Sequence, residues 1–417
     1  MNTVIYDEGE QHDFATRKIL LPLLAYRRDI KRIESLDGVK NSRILAYYNH
    51  FNPESIVRLK NDGNKLYSID VNDGSPIGSS YMGSEEVLLM DMIFKFSGLQ
   101  NTQYSNQLTI KNDFTFYSEP RIFMPDKEWG LFNTLRTLGK IVPMPHVPWF
   151  TTNEGRPWKD RKKNVLIRGG LHFYRFLLYL SLLRQEKVDE DSNFHVKCYF
   201  DKNMAEHHRY CPDCLTVFHN NGGLLSYKNY KEDYTFNCKE RYEDWTGNLD
   251  EGFFQRNHPT IWNNGCIPFF YWIADKFEAQ YGPIDKLVLQ KALHGDYLNR
   301  DKYWDILTGN AFYADYKWLF CIDIPPRFWE GAGAKTVTLL PKWTEDQTHF
   351  PELKEGEHYL AFNETMTDLQ FINEVTQEQY EHIANNCKNL YDQWIKFDQH
   401  ELNTNLMDFM MEIVENT

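Results

Sequence analysis

Short β-rich runs alternate with helical stretches along most of the chain, and this alternation limits the fold more than any other feature. TVIYD (3–7), RILAYYN (43–49) and KLYSID (65–70) are strand-like, with helical patterns from Phe14 to Ile33, from Pro53, and over EEVLLMDMIFKFSG (85–98). Proline is tolerated in a first helical turn, where its missing N–H is an orphan anyway, so Pro53 marks a helix start. Alternating strands and helices predict parallel sheets covered by helices on both faces.

The same rhythm resumes after residue 160. NVLIRGG (164–170) is a strand ending in two glycines, FYRFLLYLSLLRQ (173–185) a strongly apolar helix and FHVKCYF (194–200) the next strand. A strand, glycine turn, helix and strand in this order open a nucleotide-binding α/β unit. Further on come the helix FYWIADKFEAQYG (270–282), the strand KLVL (286–289), the helix DKYWDIL (301–307) and the strand YKWLFCIDI (316–324). YLAFN (359–363) is a last strand, and TDLQFINEV (367–375), QEQYEHIANNCKNLYDQWI (377–395) and the C-terminal residues are helical. KIVPMPHVPWFTTNEGRPWKDRKKN (140–164), with four prolines and a basic cluster, is predicted as an extended linker. The resulting expectation is a Rossmann-like unit at 1–150 and a second at 160–397, facing each other across a cleft. Residues 201–265, rich in Asn, Asp, His, Cys and Tyr, form an insertion in the second unit, and 398–417 a final helix.

Composition narrows the function. The 417 residues are 42% hydrophobic and 15% aromatic, enough for two cores and unlike a disordered chain. A formal charge of −13 argues against unspecific attraction to nucleic-acid backbones. Apolar stretches such as ILLPLLAY (19–26) and FLLYLSLL (176–183) are too short to span a bilayer. MNTVIYDEGEQHD has no apolar signal region, and seven cysteines without one read as reduced thiols. The expected location is the cytoplasm, the host's if the chain is viral.

PPRFWEGAGAKTVTLLP (325–341) holds the most informative acid. Two prolines precede Phe328 and Trp329, then comes Glu330, then small residues and a β-branched strand. After a strand ending at Ile324, Arg327 and Glu330 stand at a helix start, where free N–H groups and the helix dipole suit a diphosphate. Arg327 supplies a planar fork for phosphate oxygens, and a carboxylate one turn on can accept from paired ribose hydroxyls. The local alternative is that Glu330 is only a first-turn acid favoured by the dipole.

The series RFWEGAGAKTVTLLP, GEHYLAFN, DLQFINEV and QEQYEHIANNCKNLY resembles, in order, the C-terminal end of group-1-like GT-B glycosyltransferases. Upstream, KALHGDYLNRDKYWDIL (291–307) and NVLIRGG resemble that family's strand-end elements, so the likeness covers about 160–397, leaving 201–265 unmatched. It implies a GT-B-like α/β fold and transfer of a sugar from a nucleoside-diphosphate sugar, UDP-sugars foremost, to a hydroxyl of a glycan. The donor would lie on Arg168, Gly169, Gly295, Arg327, Glu330 and Gly331, with Glu330 on the ribose and Arg168 as a second cation. Basic side chains and helix dipoles would stabilise the leaving diphosphate, so no cofactor and no essential divalent metal are expected. The family's Glu-Ala-x-Ala-x-Gly is here Glu-Gly-Ala-Gly-Ala, which implies a shorter or less regular helix.

An inverting reaction needs a general base from the acceptor side, and His12 or Asp13, past the first strand, are the candidates. Asp13 is equally suited to cap the helix from Phe14. His50 and Asp73, at the next strand ends, are further cleft candidates, and a retaining reaction needs no such base. A runner-up acceptor is a hydroxymethylated base in phage or viral DNA. A non-catalytic nucleotide- or sugar-binding protein on the same scaffold is the alternative of another class. Cys211 and Cys214, with His208 and Cys238, could hold a structural zinc, but no second Cys-x-x-Cys stands at finger-like spacing. Asp189-Glu190-Asp191 and the DVND acids Asp70 and Asp73 formally match a metal-diphosphate pair; the former reads as a solvated turn.

Overall fold

The computed structural model describes residues 1–7, 19–71, 84–101, 126–148, 155–170, 173–195, 274–275, 277–293, 300–315, 324–363, 366, 368–396 and 403–417. Two parallel sheets organise these residues. In the first, β1 (Asn2–Tyr6), β2 (Lys31–Ile33), β3 (Ser42–Tyr47), β4 (Lys65–Asp70) and β5 (Met92–Lys95) are followed by a two-residue strand β6 (Leu99–Gln100) that leaves the sheet, and by β7 (Ile141–Pro143). The order is β2-β1-β3-β4-β5-β7, every pairing parallel. Helices α1 (Leu21–Tyr26), α2 (Pro53–Asn61) and α3 (Asp126–Thr137) belong to this unit. Asn52 caps α2 by accepting from the Ser55 N–H at 2.8 Å, and Ser55 returns the bond to the Asn52 N–H, which fixes where that helix starts.

The second unit begins with β8 (Lys162–Leu166), which continues through Ile167 into β9 (Arg168–Gly170), then α4 (Phe173–Arg184) and β10 (Asn193–His195). After α5 (Lys286–Leu293) and α6 (Arg300–Gly309) come β11 (Asn310–Ala314), α7 (Pro326–Gly333), β12 (Val337–Pro341), the short β13 (Gln347–Thr348), β14 (Leu360–Phe362) and α8 (Gln377–Trp394). The main sheet runs β14-β12-β11-β8, and β10 lies parallel to β9 beyond it. Ranked along the chain, with β8 and β9 counted as one and the β6–β13 pair set aside, each unit's described strands run second, first, third, fourth, fifth, and β7 follows as a sixth in the first unit. This is a doubly wound α/β arrangement in both halves, as the alternation of strands and helices predicted.

Several elements differ from the sequence expectation. Helix 14–33 shrinks, among described residues, to α1, followed by strand β2. The stretch 85–98 is a 3-10 turn (Glu85–Leu89) and then β5, whose four residues are all buried. A strand covered on both faces is a continuous apolar run that lacks the period-2 signal, so it is easily mistaken for a helix. KLVL is the first half of α5 instead, because Asp285 Oδ1 accepts from the N–H groups of Leu287 and Val288 at 2.9 and 3.2 Å and caps it. NAFYA, fully buried as β11, lacks alternation for the same reason and is the central strand the pattern hides. Strand 316–324 lies, apart from Ile324, outside the described residues, as does insertion 201–265. The linker from 140 opens with β7, the sixth strand of the first sheet.

Helix α9 (Thr404–Asn416) crosses back from the second unit to the first. Its buried Leu406, Met407, Met410, Met411 and Val414 form one helical face and join the core of the first sheet. Tyr67 of β4 donates its hydroxyl hydrogen to the Val414 carbonyl at 3.0 Å, and Arg27 pairs with Glu415. The units also meet through β6 and β13, an antiparallel pair with Leu99 opposite Thr348 and Gln100 opposite Gln347. Among the described residues, no helix is long and apolar enough to cross a membrane.

Candidate functional site

In a doubly wound sheet, the strands on either side of the order reversal diverge at their carboxyl ends and leave a crevice for ligands. In the second unit that point lies between β9 and β11. It is lined by the end of β9, the first turns of α4 and α7, and the residue after β11. Arg161 braces the opposite ends of the same elements. Its buried guanidinium donates to the carbonyls of Asn310 and Ala334, each at 2.7 Å, and to Thr336 Oγ1 at 3.1 Å.

Gly169 sits at the centre, with φ +154°. A Cβ there would lie 2.4 Å from Arg327 Nη1 and 3.0 Å from Arg175 Nη1, so two guanidinium groups converge on one backbone position that only glycine accommodates. Arg327 comes from the first turn of α7, whose start is set by Pro325 in an extended conformation and Pro326 as first helical residue. Its Nη1 donates to the Arg168 carbonyl. Burial alone would lower the Arg327 pKa, but Tyr313, Tyr303, Glu330 and Asp315 surround it and together hold it above the ordinary value. Arg175 is buried in the first turn of α4 and clamped by Asp315, whose Oδ1 accepts from Nε at 2.8 Å and Nη2 at 2.6 Å.

Glu330 is 2% exposed and is the fifth residue of α7. It makes no N-terminal cap and lies beyond the first turn, so the dipole-favoured first-turn alternative does not describe it. Its Oε2 accepts from the Tyr303 hydroxyl of α6 at 2.9 Å. Burial, and after it the Glu330 charge, drive the Tyr303 pKa well above its usual value, so this phenol remains a donor. The eight-residue α7 ends with Thr336 N–H bonded to the Gly331 carbonyl and Lys335 N–H to that of Ala332, with Lys335 at φ 55°. This Schellman closure makes the helix short but regular.

The structure therefore brings Arg168, Gly169, Arg327 and Glu330 together, with two qualifications. The Arg168 guanidinium turns away and donates to the Asp191 carbonyl, while its own carbonyl serves Arg327 and Tyr313. Gly331 faces β12, where a Cβ would meet Thr338 Oγ1 at 3.1 Å, so it permits close helix–strand packing. Arg175, Tyr303, Asp315 and Tyr313 were not singled out by sequence. Arg175 had a signal: a cation in the first turn of an otherwise apolar helix opposes the helix dipole and so calls for another partner. His12, Asp13, Asp73, Gly295, Cys211, Cys214, His208 and Cys238 lie outside the described residues.

The competing acids have other work. Lys162 Nζ lies 3.7, 2.9 and 2.7 Å from carboxylate oxygens of Asp189, Glu190 and Asp191, so that segment is a turn neutralised by a lysine. Asp70, fully buried, pairs with fully buried Lys95 at 3.2 Å across β4 and β5. Among the described residues no cluster of three or more His, Cys, Asp or Glu is arranged to hold a metal. At the switch point of the first sheet, His50 packs edge-on against Tyr6 and Tyr47, with ring centroids 5.1 and 6.1 Å away.

No protein-family model matches the chain. No curated protein matches it in sequence either. The structure is similar to that of Anabaena HepE in complex with UDP and glucose, with a TM-score of 0.46 and 8% identity over 100% of this chain and 99% of that one. It is also similar to OtsA without ligand (TM-score 0.43, 10% identity, 97% of this chain, 83% of that one). A third similar structure is TarM (TM-score 0.39, 8% identity, 90% of this chain, 55% of that one).

Proposed function

We propose that this chain is a glycosyltransferase that moves a sugar from a nucleoside-diphosphate sugar, UDP-sugars foremost, to a hydroxyl of a glycan. The observation that carries the reading is the convergence of Arg327 and Arg175 on Gly169, at a switch point that also holds the buried Glu330. Two guanidinium groups stand there, near the carboxylates of Asp315 and Glu330, and their converging Nη1 donors give a forked geometry suited to a diphosphate. Arg327 and Arg175 would take phosphate oxygens and stabilise the charge that develops on the leaving group, without a metal ion as a required part. Glu330, steadied by Tyr303, would accept from ribose hydroxyls. The first unit would hold the acceptor near its own switch point, beside the half-buried His50 that packs on Tyr6 and Tyr47, with His12 or Asp13 as base if the reaction inverts.

The test is a turnover assay with a panel of UDP-, GDP- and ADP-sugars, offering glycans and hydroxymethylated DNA as acceptors in parallel, alongside Glu330→Ala. Transfer or slow donor hydrolysis by the native chain, lost with weakened nucleotide affinity in the variant, is the expected result. Nucleotide binding with no turnover of any donor would identify a binding protein instead. Unchanged turnover and nucleotide affinity in the variant would remove Glu330 from the site.

A further inference from the structure

Among the buried charges that donor binding does not itself require, Asp315 has the most defined geometry. It follows β11 directly, its side chain is fully buried, and its two oxygens serve different partners. Oδ1 accepts both Nε and Nη2 of Arg175, at 2.8 and 2.6 Å. The Tyr313 hydroxyl lies 3.3 Å from Oδ2 and 3.1 Å from the Arg168 carbonyl. A guanidinium gripped along its Nε–Nη2 edge has its rotation fixed, so the direction of Nη1 is fixed as well. In this structure that direction is Gly169, where Arg327 Nη1 also arrives.

Two like charges aimed at one glycine repel each other, and Arg175 would relieve the repulsion by turning aside if it were not held. A carboxylate taken out of water is an expensive way merely to fill space, and apolar residues of similar volume usually match or exceed the stability of a buried ion pair. The geometry points to Asp315 as a positioning residue. It holds Arg175 against the repulsion of Arg327, so that both Nη1 groups are set for one bound diphosphate before it arrives. Tyr313 stands between the two halves of the arrangement, its single hydroxyl hydrogen within reach of both the Asp315 carboxylate and the Arg168 carbonyl of β9. This inference rests on the anion-binding reading of Gly169 given above.

The test is a double-mutant cycle in the full chain, Asp315→Asn with Arg175→Gln, read as affinity for inorganic pyrophosphate by calorimetry and accompanied by thermal melting. Asp315→Asn is expected to weaken pyrophosphate about 10-fold, as removal of an outer orienting partner typically does, and to cause no further loss when Arg175 is already Gln. Should Asp315→Asn not fold, Asp315→Glu keeps the charge while displacing it by one methylene, and the same cycle is read on that variant. Unchanged affinity in the single variant, or a full loss that persists in the Arg175→Gln background, overturns the positioning role. Failure of the native chain to bind pyrophosphate overturns both this role and the donor site. Coupled pyrophosphate binding without turnover of any nucleotide sugar leaves the role of Asp315 standing and rejects the transferase reading alone.

Discussion

Tyr303 donates to Glu330 Oε2 at 2.9 Å, from one helix to another and with both side chains buried. A buried carboxylate is costly unless it is hydrogen-bonded, and here the phenol on α6 provides part of that solvation. Tyr303→Phe keeps the ring and removes only the donor. The expected outcome is a stability loss of about 1–3 kcal/mol in denaturant unfolding, together with weaker nucleoside diphosphate binding. An unchanged midpoint would mean that Glu330 is solvated by other groups.

Gly169→Ala tests the convergence of the two arginines. The added methyl would stand 2.4 Å from Arg327 Nη1, on a backbone with φ +154° that side chains rarely adopt. We expect destabilisation of about 1–3 kcal/mol from the backbone and a loss of nucleoside diphosphate affinity of at least 10-fold from displaced guanidinium groups. Circular dichroism melting and calorimetric titration on one preparation separate the two effects. Tight binding by the variant would place the ligand elsewhere.

The Lys95–Asp70 pair of the first sheet gives a second electrostatic contrast. Lys95→Met leaves Asp70 as a buried charge without its lysine and should cost about 3–5 kcal/mol, enough to halve the stability of a typical domain. Replacing both, Lys95→Met with Asp70→Leu, should recover most of that loss, because an apolar pair needs no counter-charge. Chemical denaturation of the three proteins decides it. A double variant as unstable as the single one would show that these charges hold further partners that an apolar pair cannot satisfy.

His349 links stability to pH at the seam between the units. It packs against Gly98, where a Cβ would fall 2.4 Å from its ring, and its Nε2 lies 3.2 Å from the Thr344 carbonyl. Burial pushes its pKa down from 6.5 to about 4, against a smaller upward pull from the Thr344 carbonyl. The folded state thus binds fewer protons than the unfolded one between those values. Stability is fully present above pH 6.5 and declines as pH falls toward 4, by at most about 3 kcal/mol. Unfolding midpoints measured from pH 7 to pH 4 should show that slope, and His349→Gln should flatten it. An equal slope in the variant would assign the acid sensitivity to other groups.

The fold was readable from sequence where local and tertiary demands agree. β1, β3, β4, α2, α4 and α8 fall where the sequence pattern puts them, α2 from its start at Pro53 and the buried β3 and β4 from short β-rich runs bounded by polar turn residues. β5 and β11 were hidden because central parallel strands are apolar on both faces, and α5 because its cap, Asp285, stood outside the short apolar run that suggested a strand. At the site, Arg327 and Glu330 were legible since proline, glycine and charge cluster within one short segment. Asp315 and Tyr303 were not, because each has its meaning only from a partner far along the chain: Arg175 for Asp315, and Glu330 for Tyr303.

The return of α9 has a consequence for how the molecule is made. The first sheet is complete as a sheet once β7 is synthesised, yet one of its faces is sealed by Met407, Met410 and Met411, which follow the whole second unit along the chain. Until those residues emerge, the first unit carries an uncovered apolar face while the second is being built, so the nascent chain needs protection over that stretch of synthesis. A gene cut after residue 150 would leave that condition permanent.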